Sequence, residues 1–243
     1  MKVFPVVHIE SPELAVEQAS KALERNADGV YLINHNFDFN DVISAARTTL
    51  STLERVHAEY PDSYVGVNLL GLSAVRAVRL IESYGGAGRT LPSGLWIDDI
   101  RTPEGLAPTR PVEIKNAQAK LRNMRILGGV AFKYTGTFTE DPTKAAQEAE
   151  ALLDAVDVVT TSGAGTGTPP TKEKIAAMKA ASGMKPLAVA SGISLENMEE
   201  YVGPDGALID EILVASSVET KPYSGIFDLA KLEAFIDKAH GLS

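Results

Sequence analysis

Residues 126–161 read ILGGVAFKYTGTFTEDPTKAAQEAEALLDAVDVVTT. Two short apolar runs, 126–133 and 156–161, flank a stretch that Asp141-Pro142 opens. An aspartate offers a capping oxygen to free backbone N–H groups, and proline is favoured at the first helical position. The segment therefore predicts a strand, a helix and a second strand, with 30 residues from one strand start to the next. The runs are apolar throughout rather than alternating. Parallel strands covered on both faces produce that pattern.

The same unit recurs along the whole chain. Strands are predicted at 3–9, 29–35, 64–70, 94–100, 126–133, 156–161, 187–191 and 212–216, with starts 25 to 35 residues apart. Helix starts fall between them at Ser11-Pro12-Glu13, at Asp38 or Asn40, after Ser73, at Asp141-Pro142, at Thr171, at Ser194 and at Asp228. Eight strands alternating with eight helices is the count of a (β/α)8 TIM barrel. The connection from 101 to 123 is irregular, residues 85–94 are glycine-rich, and the first half of the eighth strand is ambiguous. A doubly wound open sheet is the competing fold, and the regular spacing favours the barrel. No linker or low-complexity segment divides the chain, so residues 1–243 are expected to form one barrel domain.

Composition narrows the function classes. The chain has 243 residues, 44% hydrophobic and 23% charged, which is ordinary globular usage. There is no cysteine, which excludes disulfides, thiolate metal sites and cysteine nucleophiles, and removes the main argument for secretion. The expected compartment is the cytoplasm. The opening MKVFPVVHIE carries one lysine and an apolar run broken by Pro5, too short for a signal core or a membrane span. Net charge is −9, from 23 Lys plus Arg against 32 Asp plus Glu. With no basic cluster, neither nucleic acid nor an anionic membrane is an expected partner. An anion site, if present, has to be local.

In a barrel the chemistry sits at the C-terminal strand ends. The polar residues expected there are His8, Asn34, Asn68, Asp98, Lys133, Ser191 and Ser216 with Ser217. Lys133 follows the apolar run GGVAF. A partly desolvated lysine serves as a base, a Schiff-base nucleophile or an anion clamp, and its plain structural alternative is an ion pair with Asp98 or Asp99. His8 is read either as an acid–base group or as a core histidine. Asn34 and His35 are adjacent, so only one of them points inward. Asn34 is the expected one, with His35 in the loop.

The loop TTSGAGTGTPPTKEK after the sixth strand is rich in glycine and hydroxyl residues. Gly163, Gly165, Thr166 and Gly167 are its candidate ligand contacts, either by close backbone approach or by lid closure. Gly192 and Ser194 follow the seventh strand, and Ser216 and Ser217 the eighth. Barrels often bind phosphate between these two loops. A phosphorylated small molecule is the expected ligand. Asp98 with Asp99 is too little for a magnesium site, the four histidines assemble no zinc set, and no dinucleotide fingerprint is present. No metal and no cofactor are expected.

Several pieces, taken in order, resemble the BtpA/SgcQ family: VVHIESP, DGVYLINH, GVNLLG, VAFKYTG, VVTTSGAGTGTPPTKEK and VASGISLENMEEYVGPDGALI. The resemblance is clearest over 157–208. It implies a TIM barrel akin to the ribulose-phosphate-binding barrels, and in phototrophs a link to photosystem I assembly. The chain departs from the family pattern at Ile33, where an acidic residue is usual, and at Tyr134, where histidine is usual. Its eighth-strand segment GALIDEILVASSVET also lacks the usual glycine-rich ending. Three readings follow: an isomerase or lyase acting on a sugar phosphate or nucleotide-like compound, a non-catalytic assembly or regulatory factor, and a ligand-binding barrel without turnover. Barrels of this kind are often homo-oligomers, so a homo-oligomer is among the expected assemblies.

Overall fold

The computed structural model describes residues 1–36, 41–86, 88–101, 116, 118, 119, 121, 124–203, 206–222 and 224–242. In it the eight apolar runs form β1 (Lys2–His8), β2 (Val30–Ile33), β3 (Val65–Asn68), β4 (Gly94–Ile97), β5 (Arg125–Gly129), β6 (Val158–Thr161), β7 (Leu187–Val189) and β8 (Glu211–Val214). Each pairs in parallel with its sequence neighbour, and β8 closes the ring on β1. The fold is the (β/α)8 barrel that the spacing predicts, and the open doubly wound sheet is excluded.

Helices α1 (Pro12–Leu23), α2 (Val42–Glu59), α3 (Ala74–Gly85), α4 (Pro142–Leu152), α5 (Lys172–Ser182) and α6 (Leu229–Gly241) surround the strands. Four of the expected caps make their bonds. The side chains of Ser11, Asp141, Thr171 and Asp228 each accept from N–H groups of the first turn. Ser73 stands at the N-cap of α3 without a side-chain bond. Asp38 and Asn40 lie outside the described residues, as does most of the connection from 101 to 123. The helix expected from Ser194 is replaced by a 3-10 turn, Met198–Tyr201, and a small hairpin of Val202–Gly203 with Gly206–Ala207. The Asn197 side chain explains this. It accepts from Ser194 N–H (2.8 Å) and donates to Gly192 O (2.8 Å), folding the segment back on itself.

Most strands end two to four residues earlier than their apolar runs. The reason is clearest at β5. Ala131 takes φ +47, which turns the chain out of the strand, although Val130, Ala131 and Phe132 stay buried.

Two apolar layers result. One lies between strands and helices. The other fills the barrel lumen with Phe4, Val6, Tyr31, Ile33, Trp96, Leu127, Phe132, Val158 and Leu213. The lower lumen shows how large and small residues trade space. Tyr31, Gly66, Gly94 and Arg125 stand in register across four strands. The Tyr31 and Tyr64 hydroxyls meet at 2.7 Å. A Cβ at Gly66 would lie 2.2 Å from the Tyr31 ring, and one at Gly94 would lie 2.0 Å from the Tyr64 hydroxyl. Arg125 then reaches buried Glu211 at 2.6 Å and seals the bottom.

Gly66→Ala is expected to destabilise the fold by about 1–3 kcal/mol through overpacking, read as a shift of the urea midpoint at constant slope. In a Tyr31→Leu background the added loss should shrink. A full-sized loss there would show that Tyr31 is not what fixes the glycine.

Candidate active site

The C-terminal strand ends enclose a cavity of about 860 Å³. Four polar residues line its wall: His8, His35 and Asp98 each stand one pleat above an apolar lumen residue, Val6, Ile33 and Trp96, and Lys133 directly follows Phe132.

Lys133 is half-buried in this mouth. Its backbone N–H donates to Ser162 Oγ (2.8 Å), and Nζ reaches Ala190 O at 3.4 Å and Thr166 Oγ1 at 3.5 Å. Burial pulls its pKa down, and the Tyr134 hydroxyl and the Asp98 carboxylate pull partly back. Asp98 shifts the other way. Desolvation raises its pKa against the bond from Asn68 Nδ2 (2.9 Å) and the charge of Lys133. Opposite shifts on two groups in one cavity are a mark of acid–base sites. Asp99 is held in a two-pronged pair by Arg101, at 2.9 and 2.8 Å. The plain Lys133–Asp99 ion pair is therefore not formed.

His8 and His35 meet edge to face at 5.1 Å. Burial lowers the His8 pKa to about 4, helped by His35 and Lys133 and opposed by Glu10. Burial, and then Lys133, also lower His35. In the contact of His8 Nδ1 with Glu219 at 3.9 Å the imidazole is therefore neutral at neutral pH.

Asn34 does not point inward. Ile33 faces the lumen, so the strand's alternation turns Asn34 away and brings His35 to the mouth. The buried Asn34 side chain instead accepts from Asn36 N–H (2.8 Å). Asn68 does not line the mouth cavity and acts on it through Asp98.

The glycine loop divides in two. Thr166 and Gly167 line the cavity, whereas Gly163 and Gly165 stand behind it. Its base is pinned rather than hinged. Ser191 Oγ accepts from Gly163 N–H and donates to Thr168 O, both at 3.0 Å. Gly192 has φ +71, and a Cβ there would lie 2.1 Å from Pro169 N. Only glycine fits that approach. At the loop's tip, Thr166 N–H donates to the hydroxyl of exposed Tyr134 (3.2 Å).

Gly192, Ser194, Ser216 and Ser217 all line the cavity. The Ser194 N–H is taken by Asn197, and the Ser217 hydroxyl donates to Ile193 O (2.8 Å). Among the described residues, the backbone N–H groups of Gly192, Ser216 and Ser217 donate to no protein acceptor. No group of three or more His, Asp or Glu among the described residues is placed to hold a metal ion. No helix among them is long and apolar enough to cross a membrane.

With this geometry in hand, comparison with known proteins adds the family. The sequence profile of the BtpA family matches residues 10–241. The chain belongs to the BtpA family. No curated protein matches it. Among solved structures, this BtpA-family barrel is similar to a native KDPGal structure, at 12% identity and a TM-score of 0.65, covering all of this chain and 96% of the other. It is also similar to a tryptophan synthase alpha chain from Legionella pneumophila, at 14% identity and a TM-score of 0.61, covering 100% and 92%. A protein from Aquifex aeolicus gives 16% and 0.61, covering 99% and 93%. At such identities the likeness speaks to the fold alone.

One residue that holds this BtpA-family site escapes a reading of the sequence. Lys174, on the first turn of α5, is fully buried. Its ammonium donates to Ala131 O (2.9 Å) and Ser162 O (2.8 Å), lies 3.6 Å from Glu140 Oε1, and sits 4.9 Å from the Phe138 ring centroid. The available signal is periodicity. Lys174, Met178 and Ser182 fall four residues apart, on one buried stripe with Ile175.

The depressed His8 pKa fixes a pH dependence. Between pH 6.5 and 4 the unfolded chain protonates His8 while the folded chain does not. Stability contributed by this position is therefore complete above pH 6.5 and declines as pH falls toward 4, by about 3 kcal/mol in all. His8→Gln should remove that part of the slope. An NMR titration midpoint for His8 near 6.5 would contradict the assignment.

Proposed function

We propose that this chain is an enzyme of the isomerase or lyase type acting on a small phosphorylated metabolite, the class that includes sugar phosphates and nucleotide-like compounds. One observation carries the reading. A desolvated carboxyl, Asp98, and a desolvated ammonium, Lys133, line the same open cavity as Gly192, Ser216 and Ser217, whose backbone N–H groups donate to no acceptor among the described residues. Free N–H groups at a cavity rim are suited to phosphate oxygens. An acid–base pair with pKa values moved toward neutrality is suited to proton transfer on the anchored molecule.

In this reading the phosphate rests on the loops after β7 and β8, with Thr166 and Gly167 closing over it. Asp98, oriented by Asn68, exchanges a proton with the substrate. Lys133 supplies positive charge where negative charge develops, and neutral His8 and His35 complete the wall as hydrogen-bonding groups.

The assembly-factor reading calls for a mouth filled by large side chains and an exposed apolar face. The mouth is open. The exposed large apolar residues among those described, Ile43, Tyr134, Met184 and Ile226, sit on separate elements.

Thermal-shift titration with phosphate monoesters and their dephosphorylated counterparts tests the proposal. Stabilisation by the esters alone is expected. Ser216→Asp should weaken ester binding about tenfold or more by setting like charges together. Lys133→Arg should keep part of the binding and Lys133→Met should lose it. Equal shifts from phosphorylated and dephosphorylated compounds would overturn the proposal.

A further inference from the structure

We infer that the metabolite taken by this mouth carries, besides its phosphate, an apolar group of aryl size that occupies the barrel floor, in place of a polyol chain. The inference rests on the phosphorylated-metabolite reading and narrows it, setting sugar phosphates and nucleotide-like compounds aside within that class.

The cavity has two tiers. Polar groups stand at the upper tier: His8, His35 and Asp98 on their strands and Lys133 beside them, with the Gly192, Ser216 and Ser217 amides on the rim. One pleat lower, roughly 7 Å down a strand, the same strands present Val6, Ile33, Trp96 and Leu213, and Phe132 joins them from the β5 loop. These five side chains form the floor and contain one polar atom, Trp96 Nε1. That atom is buried and has no hydrogen-bond partner among the described residues.

A phosphate held on the rim leaves most of about 860 Å³ to the rest of the molecule. An apolar cavity of about 150 Å³ is already enough to bind benzene. Hydroxyls of a sugar chain reaching this floor would find a single donor and no acceptor, so they would lose water without replacement. A nucleobase would meet the same lack along its hydrogen-bonding edge. A planar apolar group meets the Trp96 and Phe132 rings, which are 6.2 Å apart and steeply inclined, and gains by leaving water.

Isothermal titration calorimetry of the full chain with 1-naphthyl phosphate, D-glucose 6-phosphate, inorganic phosphate and 1-naphthol separates the possibilities. Naphthyl phosphate should bind at least tenfold tighter than glucose 6-phosphate, with a more negative heat-capacity change. Leu213→Ala should weaken naphthyl phosphate severalfold and leave inorganic phosphate unchanged. Glucose 6-phosphate binding as tightly as naphthyl phosphate would overturn the inference and leave the phosphorylated-metabolite reading standing. Naphthol binding as tightly as its phosphate, with no competition from inorganic phosphate, would overturn that reading and the phosphate half of the inference. No heat from any of the four would overturn both.

Discussion

A lysine ammonium with no exposure to solvent holds the C-terminal end of this barrel in shape. Burial disfavours the charged form of Lys174 and pulls its pKa down, while the nearby Glu140 carboxylate pulls it back. The charge is tolerated because the carbonyls of Ala131 and Ser162 and the Phe138 ring surround it. Both carbonyls belong to chain that has just left the sheet, after β5 and after β6. One helix turn therefore fixes two loops that no strand ladder reaches. Ser162 receives the Lys133 N–H, and Lys133 is thereby aimed at the mouth. Loss of the Lys174 ammonium would leave two buried carbonyls without donors, each worth about 1–3 kcal/mol.

The same economy of position runs round the mouth. The glycine loop needs no hinge at its base, because Gly163 and Gly192 let its backbone lie against them and Ser191 bridges the contact. Its tip is held by Tyr134, which has φ +63 and is 79% exposed. A tyrosine keeps a hydroxyl to accept the Thr166 N–H. The acidic net charge of the chain does not oppose the proposed phosphate, since the groups that would receive it are backbone amides and one lysine rather than a basic surface.

The barrel was legible because parallel strands buried on both faces leave unbroken apolar runs at regular spacing. That same property hid the strand ends and the parity of residues within them. Val30 to Ile33 are all buried, so nothing in the sequence said whether Asn34 or His35 would point inward. The register of Ile33 against Asn68 decided it. His8, Asp98, Lys133 and the residues of the last two loops were found by their place after apolar runs, and the structure gathers them around one cavity. Lys174 was not found, because two lysines open α5 in the segment KEKIAAMK and only packing distinguishes the one that turns inward.

The proposed phosphate site is the set of amides after β7 and β8 at the rim of the strand-end cavity. Backbone NMR of the protein titrated with a phosphate monoester tests it most directly. Large, saturable shifts are expected at the Gly192, Ser216 and Ser217 amides, moving in step with the Lys133 side chain. Shifts confined to other faces of the barrel, with these three amides unmoved, would contradict it.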